Sequence, residues 1–405
     1  MSLKEQFEVS GKYRAWSLGL MAVGIVSLLV GFFVYGLGDE HARTRFWCAL
    51  LQNSVYFLLV VNAAMFFICA TTLAMGAWQM SFRRVTEAIS ISVIPIGIIT
   101  FVILMCLVFG DQHHIYHWLN PEGDKILEGK RGFLNRNFFV IWTTLTIVLW
   151  IVLGAKMRTL SRNLDNNPIG SVEEGRSYIF NNTVWASLYI VWFALTVAST
   201  VPWLWLMSIN AHWYSTMYSW YTFASSFVAG IALITLFVVY LKNKGYLEVV
   251  TEEHLHDLGK FMFAFSIFWT YLWFSQFMLI WYANIPEETV YFVPRVRGAY
   301  KGIFWLNLII NFVAPILILM RRSSKRNYTT VTFMAVLLLF GHWLDFYQMV
   351  FGGPLEEHVP MNLFDFGLAA GFVGVIMYTT GNALSKRPLF VVNHPFFKET
   401  IIHHT

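Results

Sequence analysis

Residues 331–351 read VTFMAVLLLFGHWLDFYQMVF: twenty-one residues whose only imidazole and only carboxylate are His342 and Asp345. The run has no polar face at the helical period and no alternation of the kind a half-buried strand shows. At 1.5 Å per residue it reaches about 30 Å, the thickness of a hydrocarbon core. Apolar runs of comparable length recur from one end of the 405-residue chain to the other. The chain is 57% hydrophobic and 13% charged, with mean hydropathy +0.57, against about 25% charged in an ordinary soluble domain. The reading is an all-α, polytopic membrane protein of ten transmembrane helices with no separate soluble domain.

The ten spans are expected at 15–37, 47–75, 86–109, 137–153, 178–207, 216–241, 255–282, 302–320, 329–349 and 361–383. The segment before the first carries no small-residue cleavage pattern, and the apolar stretch is too long for a signal-peptide core, so span one is expected to stay attached. With the N-terminus inside, nineteen of the 28 Lys and Arg fall on inner segments, among them Lys4, Arg83, Arg84, Arg158, Lys260 and Arg326. The outer loops carry the other nine, among them Arg43, Arg45, Lys130, Arg136 and Arg295. The positive-inside bias places both termini in the cytoplasm. The net charge of +5 then reflects loops facing anionic lipid, and implies the bilayer, not nucleic acid, as partner.

Cys48, Cys69 and Cys106 are isolated, with no C-x-x-C, haem-attachment or iron–sulfur spacing. A transmembrane haem needs two facing histidines at depth, and only His342 sits there. No cofactor and no metal are expected in this chain; His113, His114 and His117 read as part of a docking loop.

His342 lies ~24 Å along the helix from Arg326 and Asp345 ~4.5 Å further, both in the outer half of the membrane and on one face of the helix. A lone carboxylate there costs ~2.5–3.5 kcal/mol, and a neighbouring imidazole can share its proton. A polar pair that only joins two helices is the alternative. Other titratable groups extend a path: Glu87 one turn inside Arg84, His256 and Asp257 at the inner mouth of span seven, Asp365 at the outer start of span ten. Glu87 can equally be a first-turn carboxylate, His254 and His256 a solvated face, and Asp257 with Lys260 a simple i,i+3 pair. Prolines at 95, 202 and 315 each free a carbonyl four residues back. For Pro315 that carbonyl belongs to Asn311, one turn from Asn307, and such faces should point into the bundle.

Two stretches, INAHWYSTMYSWYTFAS (209–225) and HDLGKFMFAFSIFWTYLWFSQFMLIWYANIPEET (256–289), closely resemble the NrfD/polysulfide-reductase-type membrane subunits of bacterial alternative complex III. The likeness runs over essentially the whole chain. It implies two four-helix bundles (spans two to five, about 47–207, and six to nine, about 216–349), with spans one and ten peripheral. It further implies a quinol:electron-acceptor oxidoreductase in the bacterial inner membrane, with iron–sulfur clusters, c-type haems and menaquinone in partner subunits. Those partners are a homologous quinone-site subunit, an iron–sulfur subunit and multihaem cytochrome c subunits. The quinone-site subunit carries a GHAGT-like stretch about 25 residues before RxxEA. Here the frame reads VNAAMFF, then Arg84-Val-Thr-Glu87-Ala88, with Asn62 where the histidine stands. An amide cannot take up a proton, so the chain resembles the second, ActF-type, non-quinone subunit.

The expected role is to scaffold the complex and to carry protons through Glu87, His256, Asp257, His342, Asp345 and Asp365, without catalysis of its own. A quinol-binding subunit and a purely structural anchor are the alternatives. An independent transporter would show paired discontinuous helices in matching halves, which are not evident.

Overall fold

The computed structural model describes residues 6–357 and 359–404; Lys4 lies outside them. Among the described residues, ten helices are long and apolar enough to cross a membrane: α1 Gly11–Gly36, α2 Glu40–Leu73, α3 Arg83–Phe109, α4 Arg136–Asn166, α5 Val172–Asn210, α6 Met217–Asn243, α7 Glu252–Ala283, α8 Lys301–Leu319, α9 Tyr328–Phe351 and α10 Leu363–Leu384. Both described ends lie on one side of the bundle, called here the terminal side, where an isolated antiparallel bridge joins Gln6 to Pro388. The chain is a multi-pass, all-α membrane protein.

The helices form two four-membered groups. In the first, α2 packs on α3 and α5, and α4 on α3 and α5; in the second, α6 packs on α7 and α9, and α8 on α7 and α9. The groups meet where α2 crosses α6 and α9. Gly230 of α6 allows this approach: a Cβ there would sit 2.6 Å from that of Ala63. Polar stitches hold the α2–α9 seam. Trp343 Nε1 donates to Asn53 Oδ1 at 2.9 Å, Gln52 Nε2 to the Trp343 carbonyl at 3.2 Å, and Tyr56 to the Leu339 carbonyl at 2.7 Å. Lipid offers helices no hydrophobic reason to associate, so close packing and such hydrogen bonds supply it.

α1 and α10 form a pair outside the two groups, with α10 resting on α2 and α3. Their seam is a row of small residues in which Gly24 faces Gly371 backbone to backbone and Gly367 faces Ser27.

Several helices outrun the apolar core expected of them. α2 starts at Glu40 instead of near 47, because Asp39 caps it and the Arg45 guanidinium, inside the protein, binds Asp365. α4 continues to Asn166 instead of ending near 153, with Arg158 donating to Ser90 at 3.1 Å. Each of the three prolines leaves a local irregularity just upstream. α3 breaks at Ser92 before Pro95; α5 passes into π turns at Thr196–Thr200 and Pro202–Leu206; α8 has a π turn at Ile309–Val313 before Pro315. A missing N–H forces the ladder to skip a register.

Candidate functional site

Asp345 and His342 lie inside the second group, on the face of α9 turned to α6 and α7. Both are fully enclosed, at 1% and 0% exposure, so neither faces acyl chains. They do not touch each other directly. Ser225 of α6 stands between them, its Oγ 2.8 Å from Asp345 Oδ2 and 2.9 Å from His342 Nδ1. Two further donors complete the carboxylate: Tyr221 to Oδ1 and Trp269 Nε1 to Oδ2 at 2.9 Å. Trp269 also stands edge-on to the imidazole, ring centroids 5.5 Å apart.

Donor counting fixes how this triad is wired. An ionised carboxylate is acceptor only, and indole N–H is donor only. With Ser225 giving its proton to Asp345, His342 Nδ1 must be the donor to Ser225, which leaves Nε2 as the basic nitrogen. Among the described residues, His342 Nε2 has no hydrogen-bond partner.

Beyond Tyr221, aromatic groups lead toward the side opposite the termini. Tyr218 lies 6.3 Å from Tyr221 by ring centroid and shares a side-chain hydrogen bond with Tyr291. Arg295 stacks 3.6 Å over the Tyr291 ring and donates to the Gln348 carbonyl at 3.0 Å.

The other expected path residues sit elsewhere. Glu87 is clamped by two guanidiniums, Arg83 Nε at 3.0 Å and Arg84 Nη1 at 2.9 Å, while Arg84 also reaches Asp165 at 2.5 Å. This cluster ties α3 to α4. Asp365 accepts from Arg45 at 2.9 Å and from the Asn362 backbone N–H at 2.9 Å, as part of the capping box of α10. At the terminal-side mouth of α7, Asp257 pairs with Lys260 at 2.5 Å and with His403 at 2.6 Å. His256 is buried nearby with Lys260 and Lys325 as charged neighbours. Thus the structure unites His342 with Asp345, and gathers Asp257 and His256 at one mouth. Glu87 is held by Arg83 and Arg84 instead, and Asp365 by Arg45 and its own helix cap.

Asn62 is wholly enclosed, and its Oδ1 accepts from Tyr189 at 2.5 Å. This part of α2 forms a packed contact with α5. Of the histidines on the side opposite the termini, His114 and His212 each meet a carboxylate. α2 begins at Glu40, which meets His114 at 2.9 Å beside an open cavity of about 470 Å³. Asp124 likewise meets His212 at 2.5 Å. Burial holds the His117 imidazole below its ordinary range. Among the described residues, no group of three or more His, Cys, Asp or Glu is arranged to hold a metal ion.

Ser225, Tyr221, Trp269 and His403 were not expected from the sequence. The one signal available was Tyr221 and Ser225 four apart on an apolar helix, hence on one face. No family model and no curated protein matches this chain.

Proposed function

We propose that this chain carries protons across a bilayer as a non-catalytic subunit of a quinol-oxidising respiratory assembly. In this reading it is the ActF-type member, in the bacterial plasma membrane with both termini cytoplasmic. The iron–sulfur, haem and quinol chemistry belongs to partner subunits. The observation that carries the proposal is the Asp345–Ser225–His342 bridge: a carboxylate and an imidazole at membrane depth, joined by a hydroxyl that donates and accepts at once. Intramembrane ionisable groups facing a bundle interior mark ion pathways.

A proton reaching His342 Nε2 makes an imidazolium; Nδ1–H passes its proton to the Ser225 oxygen as Ser225 gives its own to Asp345. The products are neutral His342, protonated on Nε2, and a neutral Asp345 carboxyl. Asp345 then releases its proton past Tyr221 toward the Tyr218–Tyr291 side, and a tautomer change resets the imidazole. Asn62, held by Tyr189 in a packed contact, supports the non-quinone reading over a quinol-binding one.

Asp345→Asn keeps the shape and removes the proton site. In the assembled complex reconstituted in vesicles, it should lower the protons moved per electron while quinol oxidation continues. A fully assembled variant with an unchanged ratio would return Asp345 to a structural role.

A further inference from the structure

Among the described residues, Ser266 of α7, Asn307 and Asn311 of α8 and His342 of α9 lie wholly inside the protein with atoms that find no partner: Ser266 Oγ, both amide atoms of Asn307, both of Asn311, and His342 Nε2. Their placement is not scattered. Trp273 of α7 packs on Phe304 of α8, ring centroids 4.8 Å apart. The two helices are antiparallel neighbours. Seven residues, about two turns, toward the terminal side of that contact stand Ser266 on one and Asn311 on the other, on the same faces. Asn307 lies one turn before Asn311. Gly341 of α9 completes the arrangement: the space a Cβ would fill there is taken by the Asn311 carboxamide. His342 is the next residue. Asn311 itself sits within the π turn Ile309–Val313, and Pro315 has no N–H to return to its carbonyl. π turns of this kind recur at functional positions.

Buried polar atoms left unpaired destabilise a fold. Glycine at 341 and proline at 315 shape the backbone around these amides, so the set has the marks of a built site.

We infer that the α7–α8–α9 interface is a binding site for internal water, held by Ser266, Asn307, Asn311 and His342 Nε2. The chemistry selects water over a cation. Two carboxamides, a hydroxyl and a neutral imidazole offer donors and acceptors together, the match for a molecule that donates twice and accepts twice. A cation would be opposed by both amide NH₂ groups, and the nearest carboxylate, Asp345, already accepts from Tyr221, Ser225 and Trp269. This inference deepens the proton reading above: the water delivers protons to Nε2, on the opposite side of the imidazole from the Ser225 bridge.

The test is a density map of the full-length, wild-type protein in its assembled complex, at a resolution that shows ordered water. Expected are two or more densities at ~2.7–3.2 Å from these atoms, at least one on His342 Nε2. A map with the amides bonded to one another and nothing between the helices would overturn the inference. So would a single density ringed by five or six oxygens at ~2.4 Å with sodium-dependent occupancy. A second readout is Asn311→Leu, which should slow proton movement at least tenfold, with Asn311→Ser restoring part of it; equal rates in all three would overturn the water's part in delivering protons. If water is present but Asp345→Asn leaves proton stoichiometry intact, the proton reading falls and the water site stands. A dry map with an Asp345-dependent ratio gives the reverse.

Discussion

His403 Nε2 lies 2.6 Å from Asp257 Oδ2, so the last described turn of the chain closes over the beginning of α7. One residue network fastens it. The Thr251 backbone N–H donates to His254 Nδ1 at 3.1 Å, which leaves Nε2 as the protonated nitrogen, facing Thr400 Oγ1 at 3.0 Å. Thr400 in turn donates to the Trp78 carbonyl at 2.8 Å. The short helix Phe397–Ile401 is thereby strapped across α7 and the turn before α3.

Thr400→Val keeps the side-chain volume and removes both hydrogen bonds, stranding a buried imidazole N–H. The loss should be about 1–3 kcal/mol, read as a lower melting temperature together with faster proteolysis within 397–404. His403→Ala removes a partly exposed pair, worth under about 1 kcal/mol. A valine variant as stable and as protease-resistant as the parent would show that the strap is held by something else.

His394, outside the membrane-spanning segments, gives the protein an acid-sensitive point. It is buried against Tyr178 and Phe396, and beside Arg83. Burial first, and the Arg83 charge second, hold its imidazole down to about 3; its Nδ1 accepts from the Phe396 N–H at 3.2 Å. The unfolded chain binds a proton below the ordinary imidazole value of ~6.5 and the folded chain does not. Stability from this residue is therefore complete above ~6.5 and falls as pH drops toward about 3. The slope approaches about 1.4 kcal/mol per pH unit at most. His394→Gln should flatten the fall in melting temperature between pH 6.5 and 4; an unchanged slope would assign acid sensitivity to other groups.

The ten spans were legible because hydropathy over about 20 residues is a property of one segment. Prolines were legible as breaks for the same reason, and Pro95, Pro202 and Pro315 all proved to be such. His342 and Asp345 stood out because a charge costs so much at depth. What could not be read were partners remote in sequence. Ser225 is 120 residues from Asp345, Asp365 is 320 from Arg45, and His403 is 146 from Asp257. Serine and tyrosine occur throughout these apolar helices, so nothing local marks Ser225 or Tyr221 as the ones that turn inward. The helix overhangs were missed because Arg45 and Arg158 read as water-facing until their buried partners are known.

The peripheral α1–α10 pair depends on two glycines rather than on side-chain volume. A Cβ placed on Gly371 would lie 2.7 Å from the Gly24 Cα, where only backbone is available to move. Overpacking of this kind costs about 1–3 kcal/mol or more. Gly371→Leu should therefore separate α1 from α10, seen as a lower melting temperature. Gly19, with nothing within 4 Å of its Cβ position, is the control, and Gly19→Ala should melt as the parent does. A melting temperature undiminished in Gly371→Leu would mean the helices tolerate a wider seam.

Ser225→Ala distinguishes a proton bridge from a structural polar pair. Asp345 would keep Tyr221 and Trp269, so its carboxylate stays bonded, and the stability cost should be modest, about 1 kcal/mol. His342 would lose its Nδ1 partner and its connection to Asp345. If protons pass through the hydroxyl, their movement should slow at least about tenfold, ~1.4 kcal/mol in the barrier. Ser225→Thr restores the oxygen and should recover most of the rate, whereas Ser225→Cys, with a longer and weaker donor, should recover little. If the pair merely joins helices, alanine and threonine would differ in melting temperature but not in proton movement. Measuring both quantities on the same vesicle preparation therefore separates the two roles, because only the bridge requires an atom that accepts from His342 and donates to Asp345 in the same step.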